Sequence, residues 1–302
     1  MSPKPDAITF AGNRLDRASL ARADPRWIEA RLADAASVLL PLHQGNPLMR
    51  DGRPVFLGAC ARAEFPPGTP VVFLGVSVEV AHFAVDFSDT PSPSDAPFAD
   101  LGVYTPLRDA APMLAGTDIA IIGEARWLLD WHRRHRHCAV CGSKTELRDG
   151  GAKRQCQECG ADHFPRTDPV AIVLATQGDA CLLGRSPRFP PGFLSALAGF
   201  VEACETPEEC AIRELKEEAG VTLTDVRYQF SQPWPFPSSL MMGFIADAAD
   251  RALTLDETEI VEARWLTHDD ISRLLNGERR DDVRLPPRFT IARRLIERWA
   301  ER

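Results

Sequence analysis

The sequence predicts an α/β protein built in several parts, and three observations carry that prediction. A chain of 302 residues holds two domains, or two and a small insert, at roughly 100–200 residues per domain. Its first third shows short apolar runs broken by Pro and Gly, whereas its second half alternates strand-like and helix-like segments. Between them lies a compact cysteine segment. The expected division is a mixed α+β N-terminal domain over 1–132, a four-cysteine ribbon over 133–164 and an α/β domain over 165–302.

In the first part, Ser37-Val38-Leu39-Leu40, Pro54-Val55-Phe56-Leu57 and Val71-Val72-Phe73-Leu74-Gly75-Val76 read as strands of a mixed or antiparallel sheet. A partly alternating run from Val78 to Phe87 joins them, and residues 88–97 form a polar loop. From Thr117 to His135 the pattern turns helical, with Ile121, Ile122, Ala125, Leu128, Leu129 and His132 at steps of three and four. That helix runs into Arg133-Arg134-His135-Arg136-His137, either a solvated helix end favoured by the macrodipole or a phosphate contact.

In the last part, Val170 to Ala175 is a buried strand candidate, paired with Ala180 to Leu183 across the Gln177-Gly178-Asp179 turn. Further strands are expected at 226–230, 240–246 and 263–266, and helices at 207–219 and 288–300.

Composition narrows the function classes. Apolar residues are 44% and charged residues 26% of the chain, which supports sizeable cores and opposes wholesale disorder. No apolar run approaches the ~18 residues of a membrane span, so no membrane partner is expected. Residues 1–6 lack the apolar core of a secretory signal, and Ala300-Glu301-Arg302 is not a Ser-Lys-Leu-type address. A net charge of −8 opposes a general duplex-DNA binder. Eight cysteines without an export cue point to a reducing, cytoplasmic compartment.

Four of those cysteines form two knuckles. Cys138-Ala-Val-Cys141 and Cys156-Gln-Glu-Cys159 are C-x2-C pairs, each followed by a glycine, Gly142 or Gly160, where a tight turn needs permissive backbone. Four thiolates complete a tetrahedral Zn2+ and leave no open position, so the site reads as structural. Disulfides are the alternative, disfavoured by compartment. His137 and His163 flank the cluster and read as non-ligands, while Cys60, Cys181, Cys204 and Cys210 lack partner spacing.

The most informative stretch is residues 199–221. Thr206 reads as an N-cap, Pro207 as the first helical residue, Glu209 as the partner in a capping box and Gly220 as the left-handed C-cap. Ala211, Ile212, Leu215 and Ala219 form the expected buried stripe. Glu214, Glu217 and Glu218 then share one side at i, i+3 and i+4, crowding the half of the helix where its dipole disfavours negative charge. A solvated acidic face is one reading. The other is a set of hard oxygen ligands for Mg2+ or Mn2+, supported by Glu205, Arg213 and the Gly-Phe lead-in.

Residues 199–221 fit G-x5-E-x7-R-E-U-x-E-E-x-G-U, with U aliphatic, at every specified position, and so the segment resembles the Nudix box. The resemblance implies an α/β/α sandwich that hydrolyses nucleoside diphosphates linked to another moiety. It implies that Glu214, Glu217 and Glu218 bind catalytic Mg2+ or Mn2+, that the Ala198 carbonyl adds a ligand, and that Arg213 and Glu205 orient the carboxylates by ion pairing. Cys204 stands where many members have Gly, at an unspecified position.

A second motif, Ser231-Gln232-Pro233-Trp234-Pro235-Phe236-Pro237-Ser238-Ser239, carries three alternate prolines that stiffen an extended form around two aromatic rings. The rings plug a core or meet a ligand. The motif resembles the signature of the NADH pyrophosphatase branch, as do the four-cysteine ribbon and the placing of the N-terminal domain. That branch implies hydrolysis of NAD(H) to NMN(H) and AMP, and removal of NAD caps from RNA. By the same resemblance residues 231–239 contact substrate, and Phe164 and Phe200 stack on a base, Phe164 standing where Tyr is common. Ala292 and, more loosely, Arg108 are matched substrate contacts, and Glu259 a later metal-binding glutamate. As a lone residue Glu259 would be a solvated surface group. A proton acceptor would be Glu218 or Glu259. The branch also resembles homodimers. The rival class is an NAD- or ADP-ribose-sensing regulator that uses the ribbon for nucleic acid, a reading that a degenerate box would favour.

Overall fold

The computed structural model describes residues 8–114 and 116–301. Residues 1–7, 115 and 302 lie outside the described residues, and with them the stretch 1–6 and the terminal Arg302 considered above as addresses. The chain divides into two compact units, Met1–Arg166 with Pro235–Ser238, and Thr167–Trp234 with Ser239–Arg302.

The first unit holds a seven-stranded mixed sheet. Its strand Val38–His43 runs parallel to Val80–Asp86 and antiparallel to Asn46–Arg50. One sheet face buries Leu39, Leu48, Phe73, Phe83 and Val85 in a common core. The helix Thr117–Arg134 buries Ile119, Ile121, Ile122, Ala125 and Leu129 and packs on the hairpin Val71–Ser77 and Val80–Asp86. A three-stranded antiparallel meander, Thr145–Arg148, Lys153–Cys156 and Asp162–His163, forms the ribbon.

The second unit is a six-stranded mixed sheet between helical layers. Its centre is the parallel pair Asp168–Gln177 and Ser239–Ala248, in register from Asp168↔Ser239 to Thr176↔Asp247. Successive residues of a strand point to opposite faces. Ala171, Val173 and Ala175 accordingly meet Ala211, Leu215 and Ala219 of the helix Pro207–Ala219. Ile172 and Leu174 meet Ile271 of the helix His268–Leu275 and Leu295 of Ile291–Ala300. A strand covered on both faces needs a continuous apolar run, which is why 170–175 shows no alternation. The hairpin to Ala180–Arg185 turns at Gly178, whose φ of +62° suits glycine.

Several expectations change. Ile212 is 42% exposed and not part of the buried stripe, because its neighbours Ala211 and Leu215 already span the face turned to the sheet. The proline motif is extended only over 231–234; Pro235–Ser238 is a turn, since Trp234 pairs with Ser239 and the chain must reverse between them. The last helix starts at Ile291, later than expected, where Thr290 caps it by accepting from the Arg293 amide. The helix His268–Leu275 was not anticipated; Thr267 and Asp270 form its capping box. Among the described residues no helix is long and apolar enough to cross a membrane.

Candidate active site

The ribbon gathers its four cysteines. One sulfur from each of Cys138, Cys141, Cys156 and Cys159 lies within 4.8 Å of the others. The Sγ–Sγ separations of 3.6 Å (Cys138–Cys159) and 3.4 Å (Cys141–Cys156) are far beyond a disulfide bond. Gly142 and Gly160 have φ of +78° and +74°, the left-handed turns that aim each pair inward. Amides of Val140 and Cys159 donate to the Cys138 and Cys156 sulfurs at 3.3 and 3.5 Å. This donor set fits Zn2+. His163 approaches without joining the set, its Nε2 3.2 Å from Cys138 Sγ, and His137 makes a backbone bridge to Lys144.

The second cluster is built on the helix Pro207–Ala219. Thr206 and Glu209 form the reciprocal capping box that starts it, and Gly220, at φ +73°, ends it. Arg213 reaches across this scaffold. It grips Glu205 with two bonds of 2.7 and 2.8 Å, donates to Glu214 at 2.7 Å and to Glu217 at 3.0 Å, and caps the Phe200 carbonyl at 3.0 Å. The paired guanidinium holds Glu205 down at about 2. Gly199 explains itself here, because a Cβ would lie 1.8 Å from Glu214 Cδ. The glycine is the space in which the Glu214 carboxylate lies.

Glu218 is 7% exposed, and its Oε2 has no hydrogen-bond partner. Burial first, then the Glu214 and Glu259 carboxylates, raise its pKa to about 8. Burial raises Glu214 as well, against the pull of Arg213. Glu259 comes from a loop latched to the helix end: Thr254 and Asp256 amides donate to the Ala219 and Glu218 carbonyls at 2.9 and 3.1 Å. Glu259 and Ile260 amides then fold back on the Asp256 carbonyl. One oxygen each of Glu214, Glu218 and Glu259 thus lies within 4.8 Å of the others. A buried, unpartnered carboxylate oxygen among two more carboxylates is costly unless a proton or a cation takes it up, and hard oxygen donors fit Mg2+ or Mn2+.

The structure does not bring Glu217 into this cluster. Its side chain is 60% exposed and paired with Arg213 instead. Helical spacing permitted either arrangement. Ala198 lies in the strand Leu197–Phe200 opposite Ile172, adjacent to Gly199.

Of the expected substrate contacts, Phe164 and Phe200 are 66% and 61% exposed and so plug no core. Pro233, Trp234 and Phe236 are half-buried, Pro235 buried, Pro237 exposed, Ser238 half-buried and Ser239 buried. Within the first unit, Arg108 and Arg126 both lie over the Phe236 ring, 4.3 and 5.0 Å from its centroid. Arg126 also donates to the carbonyls of Pro235 and Gly45 at 2.7 and 2.8 Å. Gln232 is buried with its amide turned to main chain. Ala292 is 4% exposed and packs into the core from the first turn of the C-terminal helix. Sequence reasoning missed Arg126, the Thr254–Asp256 latch and Phe289, whose ring lies against Trp234. Only Gly220 hinted at the latch, since a Cβ there would meet Thr254 at 2.9 Å.

Comparison with known proteins agrees with this architecture. Residues 36–131 match the NADH pyrophosphatase-like rudimentary NUDIX domain, 133–164 the NADH pyrophosphatase zinc ribbon domain and 165–289 the NUDIX domain. The NAD-capped RNA hydrolase NUDT12 of Homo sapiens is 32% identical over 336 residues, spanning 96% of this chain and 72% of that protein. The NAD-capped RNA hydrolase NudC of Mycobacterium bovis (strain BCG / Pasteur 1173P2) is 36% identical over 300 residues, spanning 94% of this chain and 92% of that one. NudC of Pseudomonas aeruginosa (strain LESB58) is 40% identical over 201 residues, spanning 66% and 68%. With the box helix, the carboxylate cluster and the four-cysteine ribbon in this order, the chain belongs to the Nudix hydrolase family and has the domain order of its NADH pyrophosphatase branch.

Proposed function

We propose that this protein hydrolyses the pyrophosphate of NAD(H) to NMN(H) and AMP, and that it also acts on NAD-capped RNA. The observation that carries the reading is the carboxylate cluster: Glu214, Glu218 and Glu259 converge, with an unpartnered buried oxygen on Glu218. The relatives' names, NAD-capped RNA hydrolases, support the substrate class.

In this reading Glu214, Glu218 and Glu259, with the Ala198 carbonyl, hold Mg2+ or Mn2+. A divalent metal there supplies positive charge against the pyrophosphate oxygens and acidifies water. Arg213 keeps Glu214 in place and spends Glu205 and Glu217 as its counter-ions. Glu217, exposed, serves as an outer carboxylate. Glu259, exposed beside buried Glu218, accepts the proton of the attacking water. In the second unit Phe200 and Trp234 offer ring faces to the bases, and Phe164 of the first unit carries an exposed ring of the same kind. Cys138, Cys141, Cys156 and Cys159 hold Zn2+ as a folding staple. The working parts are 1–132, 133–164 and 165–302, in a cytoplasmic homodimer.

Product analysis on a panel of nucleoside diphosphate derivatives, with and without divalent metal, tests this. Metal-dependent release of AMP from NADH is expected. Tight NADH or ADP-ribose binding without turnover would favour the sensing regulator instead. Comparing kcat/KM on NADH and NAD-capped RNA ranks the two substrates.

A further inference from the structure

The segment entering the C-terminal helix is fastened to the proline-rich motif by one buried amide. Gln232 is 1% exposed. Its Nε2 donates to the Phe289 carbonyl at 2.8 Å, and its Oε1 accepts from the Ile291 amide at 2.7 Å. Between those two residues, Thr290 donates its hydroxyl to the Pro287 carbonyl at 2.8 Å and accepts from the Arg293 amide at 3.3 Å. Three consecutive residues are therefore held, and Phe289 has little backbone freedom. Its ring lies 6.1 Å from that of Trp234 with only 12° between their planes. Most other aromatic contacts among the described residues are edge-on or tilted, as between Phe73 and Phe83 at 62° or Tyr228 and Phe244 at 71°. Edge-on and offset-parallel pairs both occur in cores, but a near-parallel pair also aligns flat π-faces on which a further planar group can stack. Both Phe289 and Trp234 are half-buried, so neither ring is wholly consumed by packing.

We infer that Phe289 is a specificity-determining residue: with Trp234 it makes an aromatic platform for a planar base of the dinucleotide. Gln232 is a positioning residue that sets Phe289 through the main chain, in place of the direct substrate contact expected from its motif. The inference rests on the NAD(H) reading above and supplies it with a residue outside the signature motif.

Steady-state kinetics of NADH hydrolysis by the full chain with Mn2+ test it, using wild type, Phe289→Leu, Phe289→Met and Phe289→Tyr. The aliphatic variants are expected to raise KM about tenfold while kcat stays within about twofold, and Phe289→Tyr to keep a KM near wild type. A merely structural role would not separate aromatic from aliphatic replacements of similar bulk. Unchanged KM in the aliphatic variants, or equal impairment of all three, overturns the inference. Failure of the wild type to release AMP from NADH would defeat the substrate reading instead. Calorimetric titration with AMP and with NMN then decides the platform: weaker binding of either to Phe289→Leu than to wild type upholds it, and equal affinity for both overturns it.

Discussion

The two ligand clusters are held in opposite ways. The four sulfurs of the ribbon come from two knuckles of four residues each, and each knuckle is shaped by its own glycine and its own amide-to-sulfur contacts. The three carboxylates of the second unit come from one helix and a distant loop, kept together by main-chain bonds from Thr254 and Asp256. The sulfur cage is complete by itself. The carboxylate cluster is not, for Glu218 keeps a buried oxygen with no partner. A site made to fold a segment closes its coordination sphere; a site made to act on a ligand leaves electrostatic work undone.

The largest effect should come from opening the closed site. Cys156→Ser, or a strong chelator, should abolish zinc retention and hydrogen-exchange protection of the 138–163 ribbon, because structural zinc couples on the order of 10 kcal/mol to folding. Zinc content by metal analysis, with exchange mass spectrometry, reads both. Retained protection without zinc would show that the ribbon folds without a metal.

In the open site the corresponding loss should be activity and not stability. Glu218→Gln should lower AMP release by roughly 10³-fold, the scale of losing one group that stabilises developing charge. Its melting temperature should hold or rise, since a buried acid without a partner is replaced by a neutral amide. Glu217→Gln, altering an exposed partner of Arg213, should cost less than about fivefold. Equal losses in both variants would put Glu217 back among the ligands.

Gly199→Ala tests how far the open site depends on packing. The new methyl must displace Glu214, and a misplacement of about 1 Å costs about 10²-fold. Rates matching wild type would show that the Glu214 carboxylate has another place to lie.

A separate effect concerns pH and the first unit. His132 is buried, with Nε2 2.8 Å from the Gly151 carbonyl and Nδ1 3.2 Å from Arg154, and burial pushes its pKa down to about 4. Between about 4 and 6.5 the unfolded chain binds a proton at this residue that the folded chain does not. Stability therefore falls as pH drops through that window, by roughly 3 kcal/mol. Denaturant titrations at several pH values should show a steeper slope in wild type than in His132→Phe. Equal slopes would mean that this imidazole titrates normally.

Much of the molecule was legible where structure is local. The capping box of Thr206 and Glu209, the Gly220 cap, the knuckle glycines and the buried run at 170–175 each follow from residues within a turn or a strand of one another. Periodicity failed at Ile212, because a stripe states which side is apolar and not how wide the covering sheet is. Alternate prolines suggested an extended 231–239, but pairing of Trp234 with Ser239 imposed a reversal. Three glutamates at helical spacing could not say which of them face each other.

Sequence alone therefore determined the donor chemistry: thiolates at knuckle spacing, carboxylates on one helix, and the box that names the family. Tertiary structure decided the membership of each cluster. It left Glu217 outside, brought Glu259, which the family resemblance had matched, beside Glu214 and Glu218, turned Gln232 inward to hold Phe289, and laid that ring beside Trp234. The physical reason is range. Turns and caps are satisfied by neighbours in the chain, whereas a buried charge or a ring face is satisfied by whatever the fold brings to it.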